Sequence, residues 1–161
     1  MMENTAPDKA TAAPPTVVKV FGVLITAYNA LGLCCSPALV LLFQIPEFAK
    51  EYPEGYEKFV FIVVLVSLAL VIYGAVAGIG LLMNKPWARF HAVLSAILNI
   101  SYTVLYIAAD IALFGYQWRL EQEGGVIGAA MEGFTYLTLF TFYGLTIFFL
   151  SRPNVKVHFG R

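Results

Sequence analysis

The stretch Phe59–Met83, FVFIVVLVSLALVIYGAVAGIGLLM, decides the fold. It holds no charge, and Ser67 and Tyr73 are its only polar side chains. A helix needs about 20 apolar residues to cross roughly 30 Å of hydrocarbon, and this segment supplies them without interruption. One such helix can be buried inside a soluble protein. Three more segments, Val17–Phe43, Ala88–Phe114 and Ile127–Leu150, meet the same length, the last two less pure with one acid each near an end, Asp110 and Glu132, and a chain of 161 residues is too short to bury all four. Composition agrees: 60% of residues are hydrophobic and 12% charged, with a mean hydropathy of +0.77, against roughly 45–50% and about 25% in ordinary soluble domains. The expected fold is all-α, an integral membrane four-helix bundle with antiparallel up-down topology and short loops. It should fill residues 17–151, between a polar, disordered tail (1–16) and a short basic tail (152–161).

The connections alternate in charge. Lys9, Lys19, Lys85, Arg89, Arg152, Lys156 and Arg161 fall on one side, and Lys50, Lys58 and Arg119 on the other. Basic residues near span ends stay cytoplasmic, so both termini are expected inside. The opposite loops carry Glu47, Glu51, Glu54, Glu57, Glu121 and Glu123. Trp87 and Phe90 at the inner boundary, and Phe48, Tyr52, Tyr56, Tyr116 and Trp118 at the outer one, sit where membrane-interface aromatics belong. The first residues lack a short apolar core followed by a small-residue cleavage site, so the first span reads as an anchor, not a signal peptide.

Several functions are disfavoured. Net charge is zero, which argues against a nucleic-acid partner. Cys34 and Cys35 are adjacent, a spacing that forms neither an unstrained disulfide nor a redox pair, and they read as small packing residues. His91, beside Arg89, reads as an interfacial histidine, and His158 is too distant in sequence to suggest a ligand pair. The glutamates of the Gln44–Lys58 loop lack the oxygen spacing of a calcium loop, and Pro53 interrupts them. No catalytic motif appears. The expectation is no enzyme activity, no cofactor and no metal.

What remains is packing and polarity. Helices in lipid associate through close approach of small residues and through polar contacts. Gly22, Thr26, Asn29 and Ser36 share a face of the first span, and Ser67, Gly74 and Gly78 share one of the second. Gly74 and Gly78 form a GxxxG pair, expected to let a neighbouring helix of the same bundle come close. Pro37 is expected to kink the first span. On the third span His91, Ser95, Asn99, Tyr102, Tyr106 and Asp110 recur at spacings of 4, 4, 3, 4 and 4, within an arc about 100° wide. Six polar side chains along one face must turn from lipid toward the bundle interior, another subunit or a watery cavity. On the fourth, Glu132, Tyr136 and Tyr143 share a face flanked by Thr135 and Thr146. By helical rise Glu132 lies roughly 27 Å from Leu150, and Asp110 roughly 35 Å from Trp87, so both acids sit near the outer boundary and can approach each other. The expected reading is a hydrogen-bonded core whose acids reach outer water or pair with Arg119. The alternative is a conduction or proton path ending at Asp110 and Glu132, since carboxylates in a poorly solvated site can share a proton or hold a cation.

The turn Gly78-Ile79-Gly80-Leu81-Leu82-Met83-Asn84-Lys85-Pro86-Trp87-Ala88-Arg89 resembles one found in groups of small, uncharacterised bacterial four-span inner-membrane proteins. The resemblance implies a bacterial inner-membrane setting and carries over no site residue. The functional expectation is a structural or accessory subunit of a membrane assembly, partnered by lipid and by a larger membrane protein complex or by further copies of itself in a homo-oligomer. The alternative is a small oligomeric transporter or channel.

Overall fold

The computed structural model describes residues 16–42, 44, 45, 50, 52–117, 120 and 125–159. Among them the ordered chain is helical: α1 (Thr16–Leu42), α2 (Tyr56–Leu82), α3 (Ala88–Phe114), α4 (Gly125–Leu150) and α5 (Pro153–Phe159). The first four are long and apolar enough to cross a membrane, and the protein is a multi-pass helical membrane bundle. The amino-terminal tail, Phe43, Glu47, Phe48, Glu51, Trp118, Arg119, Glu121, Glu123 and Arg161 lie outside the described residues.

Several limits shift by one or two residues, with α1 at Thr16–Leu42, α2 ending at Leu82 and α4 starting at Gly125, and two larger differences bear on packing. Helix α2 starts at Tyr56, not Phe59, because Glu57 and Lys58 stay exposed in its first turn while Tyr56 turns inward. Tyr56 stands at the first position of the span and turns toward the bundle. It is 6% exposed and packs edge-on against Phe114 at 5.0 Å, with Tyr52 stacked on it at 5.0 Å. The stretch after Leu150, expected as a tail, forms α5 from Pro153, a residue suited to a first helical turn. Its Val155 and Phe159 enter a core with Val18, Phe21, Ile25, Leu81, Ala88 and Leu150.

Neighbours in sequence are neighbours in space. Helix α1 packs on α2, α2 on α3 and α3 on α4, while α1 and α4 meet only slightly. The closest pair is built on glycine. A Cβ placed on Gly74 would lie 2.6 Å from Asn29 Oδ1, and one on Gly78 2.6 Å from Thr26 Oγ1. One on Gly22 would lie 2.8 Å from Leu82 Cδ2. The GxxxG pair thus serves α1 of the same chain. Helix α1 runs through Pro37 without a break in its helical assignment; the proline removes one backbone donor, and one turn nearby the Ser36 hydroxyl donates to Gly32 O at 2.7 Å.

The α2–α3 turn is a Schellman closure. Asn84 takes a left-handed φ of 52°, its N–H donates to Leu81 O (3.1 Å), and Lys85 N–H donates to Gly80 O (2.9 Å). A Cβ on Gly80 would lie 2.7 Å from the Trp87 ring and 2.8 Å from Ala88 Cβ, so glycine is what lets α3 start against α2. Arg89 Nε then donates to Leu150 O at 2.7 Å, placing a cation on the last carbonyls of α4.

Candidate functional site: the polar face of α3 and its carboxylate end

The polar residues of α3 turn inward, and they divide by partner. At the end next to the α2–α3 turn the Tyr73 hydroxyl of α2 hydrogen-bonds His91 Nδ1 at 2.7 Å, with Trp87 and Phe90 edge-on to the imidazole. Ser95 is 3% exposed, and Asn99 Nδ2 donates to its carbonyl at 2.9 Å. The Tyr102 hydroxyl crosses to α2 and donates to Val63 O at 2.7 Å. Tyr106 stacks on Phe59 of α2, centroids 5.8 Å apart. From His91 to Tyr106, then, this face ties α3 to α2 or to itself. Such bonds are the polar glue of helices in lipid, where an unpaired donor is costly.

The opposite end of α3 is different. Asp110 is 3% exposed and faces α4. With Ile107, Ile111 and Tyr116 it lines one wall of a cavity of about 200 Å³, whose other wall is Ala129, Glu132, Gly133 and Tyr136. The Tyr136 hydroxyl donates to Glu132 Oε1 one turn away. The two acids therefore line one half-open cleft, as their heights on the helices allow. At about 30 Å³ per water, it has room for roughly six waters or a hydrated small ion. It is smaller than the 300–1,000 Å³ typical of organic-ligand pockets.

Helix α4 is the incompletely partnered element. Its C-terminal half meets α1 through Phe149 on Phe21 (5.5 Å) and through Phe142 and Tyr143 on Tyr28 (5.3 and 5.9 Å). Beyond Tyr28, toward the start of α4, the two helices part around a groove of about 320 Å³ lined by Tyr28, Phe134, Thr135, Thr138, Leu139 and Phe142. A Cβ on Gly128, Gly133 or Gly144 would meet nothing within 4 Å, unlike the packed glycines of α1 and α2. Thr135, Thr138 and Thr141 are exposed, each donating to the carbonyl four residues back at 2.8–2.9 Å.

Four features were not read from the sequence. Thr103 is buried beside the α3 face and donates to Asn99 O at 2.9 Å; its spacing of four from Asn99 was the available signal. Tyr73 is evidently polar in the sequence, but its pairing with His91 joins two helices and a single sequence does not encode it. The splaying of α4 and the docking of α5 likewise depend on tertiary packing. Cys34 and Cys35, expected as packing residues, are exposed on the surface of α1, because Gly22, Asn29 and Gly32 already supply its close contacts. No group of three or more metal-ligating side chains occurs among the described residues. No family model, curated protein or solved structure matches the chain.

Proposed function

We propose that this protein is a structural or accessory subunit of a membrane assembly, its α4 offered to a transmembrane helix of another polypeptide. The observation that carries the reading is the open groove between α1 and the outer half of α4. Three glycines of α4 have open space at the Cβ position, and its threonine hydroxyls are satisfied within the helix. Small residues without unmet polar needs suit close helix approach in lipid. The hydrogen bonds from His91 to Tyr102 also speak against a continuous polar path, since they hold the α3 face to α2. Native mass spectrometry of the complex extracted in mild detergent tests this. A defined mass above the 17.7 kDa chain, containing a second kind of polypeptide, is expected; a monomer or a homo-oligomer alone contradicts it.

A second reading, a small oligomeric transporter or channel, draws on the Asp110–Glu132 cavity. It requires that Asp110→Asn and Glu132→Gln abolish solute movement in liposomes while assembly persists. Wild-type transport in both variants ends it.

We place the chain in a bacterial inner membrane with both termini cytoplasmic, on the seven-to-three division of Lys and Arg and on the resemblance of the α2–α3 turn. In a background with Cys34 and Cys35 replaced, a cysteine at Glu54 should react with an impermeant thiol reagent in intact cells and one at Asn154 should not. The reverse pattern would invert the topology.

A further inference from the structure

We propose that the mouth between the end of α1 and the start of α2 is a binding site for a phospholipid with a primary ammonium head group, such as phosphatidylethanolamine. This inference is independent of the accessory-subunit reading. The cavity there measures about 360 Å³ and is lined by Val40, Gln44, Glu57, Lys58, Val60, Phe61 and Ile62, a volume within the range of ligand sites. Its chemistry changes with depth. Glu57 and Lys58 occupy the first turn of α2, and Phe61 and Ile62 lie one turn, about 6 Å, farther along the span. A polar mouth over an apolar floor, aligned with the helix axis, reproduces the polarity gradient of a lipid lying beside the bundle.

The mouth carries one cation and one anion, so a zwitterion complements it. Lys58 matches the phosphate as a compact three-donor charge. Glu57 matches a head-group ammonium, and a primary ammonium donates hydrogen bonds to a carboxylate where a trimethylammonium has no N–H to give. Gln44 supplies an amide that can accept from the ammonium or donate to the phosphate. A lipid whose head group has no cation, such as phosphatidylglycerol, leaves Glu57 facing an uncompensated anion.

The test uses the full chain in vesicles containing equal parts of phosphatidylethanolamine, phosphatidylcholine and phosphatidylglycerol with matched acyl chains. After mild extraction, bound lipids are counted by native mass spectrometry. Phosphatidylethanolamine should be retained about threefold or more over each of the others, the scale of a solvent-exposed charge pair. Glu57→Gln should erase its advantage over phosphatidylcholine, and Lys58→Gln should lower retention of all three. Lys85→Gln, at the other end of the bundle, should change nothing. Equal retention by the wild type, a preference for phosphatidylglycerol, an unchanged ratio in Glu57→Gln, undiminished retention in Lys58→Gln, or an effect of Lys85→Gln equal to that of Lys58→Gln would each overturn the proposal.

Discussion

Single atoms decide the packing at the α2–α3-turn end of this bundle. Gly74 and Gly78 stand where a methyl group would collide with Asn29 and Thr26. Overpacking of a filled interface costs about 1–3 kcal/mol, so Gly74→Val or Gly78→Val should lower the thermal unfolding midpoint in detergent, while Gly128→Ala on open α4 should not. Asn84 permits a second test. A left-handed backbone costs a branched residue roughly 1–2 kcal/mol, whereas glycine is at ease there. Asn84→Val should destabilise by about that amount and Asn84→Gly should be neutral or better, read in the same melts. The glycines' packing role was legible in the sequence because small-residue faces need only helical spacing. The left-handed Asn84 was not read in advance, since Asn-Lys-Pro suits several turn geometries and only the backbone bonds to Leu81 and Gly80 single out the Schellman form.

At the scale of elements, α3 shows how a polar stripe is accommodated in lipid. Its side chains are shared between α2, through Tyr73 and Val63, and α4, through the carboxylate cavity. Interhelical side-chain hydrogen bonds in membranes average about 0.6 kcal/mol. Tyr73→Phe and Tyr102→Phe should therefore each cost of that order, and with no shared partner their effects should add. A loss several times larger in either variant would mean that it holds more than one contact in place. The inward turning of the stripe followed from its 100° arc. Its division between two neighbours did not, because a helical wheel gives a direction and no partner. The short α5 shows the same limit: Val155 and Phe159 are spaced as one face, yet nothing in seven residues announces that they complete the core beneath Val18 and Leu150.

For the whole molecule, the four spans follow from composition and segment length, which is why they were legible without any comparison. The arrangement of those spans is less regular than an up-down bundle suggests. Three neighbours pack in sequence, and the fourth helix closes on the first only at the end where Phe21 meets Phe149. From Tyr28 toward the start of α4 the closure fails, and Tyr28 faces Phe134, Thr135, Thr138, Leu139 and Phe142 across a groove of about 320 Å³. That opening is the central claim, and photo-crosslinking from it is the most direct test. A photoreactive residue in place of Thr138, activated in native membranes, should give a single adduct with one other polypeptide. The same probe in place of Leu105, 67% exposed on α3, should give lipid adducts only. Adducts from position 138 to lipid alone, or to a second copy of this chain alone, would contradict the account.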